Sequence, residues 1–234
     1  MITGKHILHA FDEELKTLGN LIARMSSNAE SQFREAMLAV DKRDAALAER
    51  VVAGDEQINA LEQQIENMAI SMIAKRQPMA DDLRYIIACL KTAHDIERLG
   101  DYAKNIARRA VPMSKYSLPE TLLAPTLEIS GLVADMLKNV FEALASNDAR
   151  KAIAVWESDD AVDNRYGSLV KAIRVHMAQE PESVKPLTHL LFIAKNVERI
   201  GDMATNLSET IHYRVTGAAL AETYQRRAQE RQAG

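Results

Sequence analysis

DIERLGDYAKNIA (95–107) and NVERIGDMATNLS (196–208) are the two stretches that decide the fold. They align at a constant offset of 101, so that Glu97, Arg98, Gly100, Asp101, Ala103 and Asn105 recur as Glu198, Arg199, Gly201, Asp202, Ala204 and Asn206. Self-similarity at a fixed period marks a duplicated structural unit. Upstream, AGDEQIN (53–59) pairs with ESDDAVD (157–163) at an offset of 104, matching Asp55 to Asp159 and Asn59 to Asp163. The halves therefore share two successive elements in the same order.

Around these stretches apolar residues recur at helical spacing in segments rich in Ala, Leu, Glu, Gln, Met and Arg. Proline costs about 3 kcal/mol inside a helix, so Pro78, Pro112, Pro119, Pro125, Pro181 and Pro186 punctuate the chain. Two helices of about 30 residues, each about 45 Å long, are expected before Pro78, with an interruption near Asp41-Lys42-Arg43-Asp44. A third runs from Met79 to Arg109, with Asp81 and Asp82 in its first turn, where carboxylates favour the helix dipole. VPMSKYSLPETLLAP (111–125) gathers three of the six prolines and reads as a linker. The same order then returns, with helices near Thr126–Ser146, Asp148–Gln179 and Ser183–Arg214. The expected architecture is all-α: two tandem pseudo-repeated three-helix bundles, residues 1–116 and 117–234, made of six long helices.

Composition narrows the function. The 234 residues are 47% hydrophobic but only 5% aromatic, with 9 Gly and 6 Pro, too poor in strand and turn formers for an all-β fold. Lys+Arg 29 against Asp+Glu 33 leaves a net charge of −4, opposite to the basic excess of a nucleic-acid binder. Cys89 is the only cysteine, which excludes an internal disulfide or a Cys-based zinc cage and suits a reducing, cytoplasmic address. The first residues, MITGKHILHAFDEELK, lack the apolar run of a signal peptide, and no stretch of about 18 apolar residues is free of charge.

At about 100° per residue, Leu83, Ile87 and Leu90 share a sector that continues into Glu97 and Asp101. Val184, Leu187 and Leu191 continue into Glu198 and Asp202 in the same way. Carboxylates four apart on a helix lie about 6 Å from each other, and burying such a pair costs several kcal/mol per charge without a compensating cation. Two sources of positive charge are open. Arg98 and Arg199 could fold back as polar staples, or a hard metal ion could bind oxygen ligands from both helices. The second helix of each half offers Asp55 with Asn59 and Glu62, or Asp159 with Asp163. Gly100 and Gly201, one residue before the second acid, permit close approach of a neighbour.

Over nearly the whole chain, from FDEEL through KRQP, DLR and ERLGD to ERIGD, the sequence resembles the PhoU family of cytoplasmic regulators of phosphate uptake and phosphate-starvation signalling. The resemblance implies a six-helix protein of two three-helix bundles whose acidic motifs bind multinuclear metal clusters. Carried over by position, those motifs fall on Glu97 with Asp101 and Asp55 in one half, and on Glu198, Asp202, Asp159 and Asp163 in the other. It further implies a non-enzymatic negative regulator, a homodimer bridging the phosphate ABC transporter's ATPase subunit and a sensor histidine kinase, and reaching the membrane only through those partners. Iron, zinc, manganese and magnesium are all admissible on oxygen ligands. Asn59 supplies a neutral oxygen where the second half has Asp163, so the second half should bind metal more tightly.

Rival readings are a generic helical scaffold and a carboxylate-bridged di-metal enzyme. The latter needs repeated Glu-x-x-His elements; Glu209-Thr-Ile-His212 supplies one, but its counterparts in the first half are Arg108 and Val111. His212 reads instead as a cap near a helix C-terminus. His94 follows the apolar stripe and reads as a packed or hydrogen-bonded histidine rather than a ligand. No nucleophile elbow or phosphate-binding glycine loop is present. The tail TYQRRAQERQAG (223–234) reads as a solvated helix end.

Overall fold

The computed structural model describes residues 2–220, with side chains from Ala10 onward. The expectation for the 223–234 tail lies outside the described residues. In chain order the α-helices are α1 (Ile2–Lys42), α2 (Ala45–Gly54), α3 (Glu56–Arg76), α4 (Ala80–Met113), α5 (Glu120–Ser146), α6 (Ala149–Glu157), α7 (Asp159–Gln179) and α8 (Val184–Thr216). A 3₁₀ turn, Pro181–Ser183, precedes α8. There is no strand among the described residues.

These are the six expected helices, with the second of each half bent at one residue: α2 runs into α3 across Asp55, and α6 into α7 across Ser158. The periodicity could not show this, because a one-residue break hardly disturbs the spacing of the apolar positions. Ser158 donates its hydroxyl to Val155 O at 2.7 Å, satisfying a carbonyl in the turn it interrupts. The breaks put an acid at each bend, Asp55 in one and Asp159 just after the other.

The turn from first to second helix is repeated in detail. Arg43 and Asn147 both take left-handed backbone, with φ of 53° and 54°. Asp44 N donates to Ala39 O and Asp148 N to Ala143 O, both at 3.0 Å, the six-to-one bond that ends a helix with a left-handed residue. The same aspartates then cap the following helix. Asp44 Oδ1 accepts from Leu47 N at 2.9 Å, and Asp148 Oδ1 from Arg150 N at 2.9 Å and Lys151 N at 3.1 Å.

The linker is shorter than expected. Pro112 lies in the last turn of α4 and Pro125 within the early turns of α5, leaving residues 114–119 outside α-helix, and α5 starts at Glu120 rather than Thr126. Leu123 N already donates to Pro119 O at 3.0 Å, so Pro125, two residues on, forgoes one bond of the helix ladder.

Helices α1 to α4 pack on one another, as do α5 to α8, but the halves are not separate globules. Helices α4 and α8 pack together along their lengths, α1 touches α5, and one continuous apolar core runs from Leu18 to Ile211. Three arginine–aromatic contacts show that α4 and α8 are antiparallel. The Arg214 guanidinium lies 4.3 Å from the Tyr85 ring centre, Arg199 5.6 Å from Tyr102, and Arg109 4.4 Å from Phe192. Each is worth about 0.5–1 kcal/mol where partly exposed.

The buried stripe differs from the expected one. On α4 it includes Ile86, Cys89, Ala93, Ile96, Leu99, Ala103, Ile106 and Ala110, whereas Leu83 and Ile87 are exposed and Leu90 half-buried. On α8 Leu187 is buried, Val184 exposed and Leu191 half-buried. The acids therefore sit at the margin of the core. A single-helix projection missed this because α4 and α8 are enclosed on several sides, which leaves more than one apolar sector.

The two glycines differ in use. A Cβ on Gly100 would meet Ile58 Cδ1 at 3.0 Å and Gln32 Oε1 at 3.1 Å, whereas on Gly201 its nearest neighbour would be Asp159 Oδ1 at 3.5 Å, an ordinary contact. Alanine exceeds glycine in helix propensity by about 1 kcal/mol. Gly201→Ala should thus gain up to about 1 kcal/mol in urea denaturation, and Gly100→Ala should gain nothing, since two packed side chains must move.

Candidate metal-binding faces

In the first half α3 faces α4. Asp55, at the helix bend, is buried, and its Oδ1 accepts from Gln32 Nε2 at 3.2 Å. The Lys104 ammonium, one turn beyond the acidic motif, donates to Asp55 Oδ2 at 2.6 Å and also to Asp101 Oδ1. Burial opposes charging Lys104, but its bonds to Asp101 and Asp55 outweigh that and raise its pKa. The cation that the carboxylates require is thus a lysine of the same helix.

Neither arginine takes that part. Arg98 Nη2 donates to Tyr102 Oη at 3.2 Å, and Arg199 stacks on the same ring from α8. Arg199 reaches across the α4–α8 seam to the ring face, whereas Arg98 reaches the Tyr102 hydroxyl along its own helix.

Glu97 is half-buried and stands near Glu62 and His94. Burial, then Asp101 and Glu62, raise its pKa. His94 is not packed in the core: its side chain is 66% exposed, and Nδ1 lies 3.4 Å from Glu62 Oε1. Among the described residues Glu62, His94 and Glu97 form the one set of three potential ligands whose donor atoms all lie within 4.8 Å of one another. Glu62 was considered from the sequence beside Asp55; the His94-x-x-Glu97 spacing, which puts both side chains on one helix face, was the signal passed over. Asn59 is exposed.

The second half repeats the plan with different compensation. Asp159, Asp163, Glu198 and Asp202 gather where α7 meets α8, close enough that each of the other three disfavours ionisation of Asp159. Burial, reinforced by Asp163, Asp202 and Glu198, pushes the Asp159 carboxyl up to about 6. Its Oδ1 is buried with no hydrogen-bond partner. Asp202 is raised too, by burial and by Glu198. Position 104 corresponds to Thr205, so the ammonium that joins Asp55 to Asp101 has no counterpart there. Lys195 instead donates to Glu198 Oε1 at 2.6 Å, at the other end of the group, with its ammonium 5.4 Å from the Tyr166 ring centre.

The residues present fit a hard cation in the second half. Four carboxylates are answered by one lysine in contact, and an orphaned buried oxygen faces the group. Leaving a buried acceptor unpaired costs about 1–3 kcal/mol, which a divalent ion bound by Asp159, Asp163 and Asp202 would recover. In the first half Lys104 already answers Asp55 and Asp101, and a metal there must displace it.

His212 and Glu209 do not meet as di-metal ligands. His212 is buried with Nδ1 3.1 Å from Ala218 O, closing the end of α8, and Glu209 accepts from Trp156 Nε1 at 3.3 Å. A crevice of about 660 Å³ between α1, α4, α5 and α8 is lined in part by Tyr85, Cys89 and Arg214, and by none of the seven predicted acids. Burial pushes the Cys89 thiol up to about 11, so it stays protonated and unreactive at neutral pH. Among the described residues no helix is long and apolar enough to cross a membrane.

Comparison with known proteins agrees with this architecture. The PhoU domain model matches residues 22–110 and again 126–211. The "Phosphate-specific transport system accessory protein PhoU homolog" of Caulobacter vibrioides is 42% identical over 217 residues, covering 92% of this chain and 94% of the relative. The Rhizobium meliloti protein of the same description is 42% identical over 213 residues, covering 91% and 90%. The crystal structure of PhoU from Pseudomonas aeruginosa superposes with a TM-score of 0.86 at 31% identity, covering 89% of this chain and all (100%) of the other. The phosphate transport system regulatory protein PhoU from Streptococcus pneumoniae gives 0.83 at 28%, covering 90% and 99%.

The Asp159 environment generates a pH prediction. Its folded pKa, about 6, lies above the ordinary value of 3.8, so the native chain holds a proton that the unfolded chain releases between those values. The stability it contributes is complete below about pH 4 and is lost as pH rises through about 6. In metal-free protein Asp159→Asn should therefore be more stable than wild type at pH 7–8, with the gap closing towards pH 4. Urea denaturation across that range measures it.

Proposed function

The chain belongs to the PhoU family, and from that membership we propose that it is a cytoplasmic, non-enzymatic regulator of phosphate transport that represses phosphate-starvation signalling when phosphate is plentiful. It would do so as an adaptor, a homodimer that joins the phosphate ABC transporter's ATPase subunit to a sensor histidine kinase and reaches the membrane only through them. The observation that carries this reading is the extent of the likeness: relatives described as phosphate-specific transport accessory proteins align over nine-tenths of the chain, both repeats included. Long helices with exposed apolar residues such as Leu83, Ile87 and Phe192 suit a docking role.

Metal completes the proposal. The second half would hold it through Asp159, Asp163, Glu198 and Asp202, and the first through Glu97 with Asp55 and Asp101 once Lys104 is displaced. A divalent ion there supplies positive charge and joins α7 to α8, stabilising the folded state in proportion to its occupancy. The orphaned Asp159 Oδ1 supports the second half as the tighter of the two.

Two measurements test these statements. Deleting the gene should raise phosphate-responsive transcription in phosphate-rich medium, and unchanged low expression would refute the regulatory reading. Asp202→Ala should lower bound metal more than Asp101→Ala while both proteins keep wild-type helicity; equal metal uptake by wild type and Asp202→Ala, with equal thermal stabilisation, refutes the metal site.

A further inference from the structure

We infer that the crevice between α1, α4, α5 and α8 is a binding site for a free amphipathic organic anion, a molecule with an apolar body and one carboxylate-like head. The inference goes beyond the regulatory reading and is separate from the metal faces, since none of the seven acids lines the crevice.

The first ground is how the space arises. Helix α1 packs on α4 and α5, and α8 packs on the same two, but among the described residues neither α1 and α8 nor α4 and α5 pack on each other. The four helices therefore form a ring around a hollow of about 660 Å³. That volume suits one small molecule, and both halves of the chain wall it, as is common for ligand sites between domains.

The second ground is the other copy of the repeat. First helices correspond at an offset of 104 and third helices at 101, so Gly19, Ala23, Cys89 and Thr92 correspond to Leu123, Leu127, Leu190 and Ile193. All four of the smaller residues line the crevice. Leu190 and Ile193, by contrast, are fully buried in the core. Protein interiors are ordinarily close-packed, and the second copy shows that the same helical framework accommodates large apolar side chains at these positions. The hollow in the first copy is built by small residues.

The third ground is polarity. Thr92 is 1% exposed, lines the crevice and makes no hydrogen bond among the described residues, where the other copy has the apolar Ile193. Arg214 and Lys138 also line the space, and neither has a carboxylate at ion-pair distance among the described residues. The lining acids are already answered, Glu30 by Arg34 at 3.0 Å and Glu142 by Lys151, and Lys16 is paired with Glu13 at 2.8 Å. Two unanswered positive charges thus overlook walls that include Ile22, Phe141 and Ile211. A guanidinium recognises a carboxylate or a similar oxyanion through paired hydrogen bonds. An apolar body would remove the walls from water, and the buried Thr92 hydroxyl calls for one polar atom on the ligand.

The test uses the full chain and the fluorescent anion anilinonaphthalenesulfonate. Wild type should bind one equivalent, which decanoate displaces and decyltrimethylammonium does not, and decanoate should raise the melting temperature. Thr92→Ile and Ala23→Leu each install the residue of the other copy. Both should keep wild-type circular dichroism and bind dye and decanoate about tenfold more weakly. Arg214→Gln should weaken decanoate binding by a similar factor, whereas Ile70→Ser, which removes an exposed apolar side chain of α3, should change nothing. Wild-type affinity in both Thr92→Ile and Ala23→Leu overturns the inference, as does equal displacement by the cationic amphiphile. Dye binding lost in Ile70→Ser instead means adsorption to the surface and also overturns it. Sedimentation with phosphatidylglycerol vesicles that Thr92→Ile abolishes, with no displacement of the dye by decanoate, would assign the site to a lipid surface and overturn the free molecule.

Discussion

The antiparallel packing of α4 against α8 is the constraint from which the rest of the arrangement follows. Each helix carries the main buried stripe of its own half and one of the two acidic motifs, so the seam that joins the halves also fixes the spacing between their acid faces. The register is held by aromatic rings under guanidinium groups. Seventeen residues from Tyr85 to Tyr102 on α4 are matched by fifteen from Arg214 to Arg199 on α8, and seven from Tyr102 to Arg109 by seven from Arg199 to Phe192. Sliding one helix by a turn would unstack these contacts and expose part of a core that is continuous across the halves.

Electrostatics explains why the duplicated units have diverged. Each places carboxylates at the margin of its core, where partial burial makes unpaired charge costly. The first half answers with Lys104 on Asp55 and Asp101; the second answers with Lys195 on Glu198 and leaves Asp159 with an unpartnered oxygen and a raised pKa. Moving one lysine from the far end of the motif to the near end shifts the uncompensated acids to opposite ends of otherwise similar sites. Positions 104 against 205, and 94 against 195, carry that difference, although the motif between them is nearly unchanged.

Much of the fold was legible because it rests on signals that repeat. The 101-residue offset, the interruption near Asp41–Asp44 and the helix spacing each reflect local periodicity or capping, and local chemistry is what a sequence records most directly. What was not legible depends on neighbours in space. Leu83 and Ile87 fit an apolar stripe on their own helix, yet the core is set by where α1, α3 and α8 lie around α4, and that selects Ile86, Ala93 and Ile96. Arg98 and Arg199 stand beside the acids in sequence, but Arg98 is hydrogen-bonded to the Tyr102 hydroxyl and Arg199 lies over the Tyr102 ring from the facing helix. The seven acids were readable as clusters because helical spacing pairs six of them, 97 with 101, 159 with 163 and 198 with 202. Which cation answers each pair depended on a lysine one turn away, Lys104 after the first motif and Lys195 before the second.

On the functional reading proposed above, the placement of the acid faces decides how metal occupancy can be sensed. Exposed charges are screened beyond about 8 Å at physiological ionic strength, so an ion bound between α7 and α8 is felt electrostatically only by a partner that docks close to those helices. Effects on remoter surfaces must travel mechanically, and the route available is α8 itself, which is packed along α4 and so is rigidly tied to the other half. Lys104 gives the first half a permanent internal cation that needs no ion from solution. The half whose charge is compensated less completely is therefore the one whose stability varies more with metal concentration, since metal in the other half must first displace Lys104.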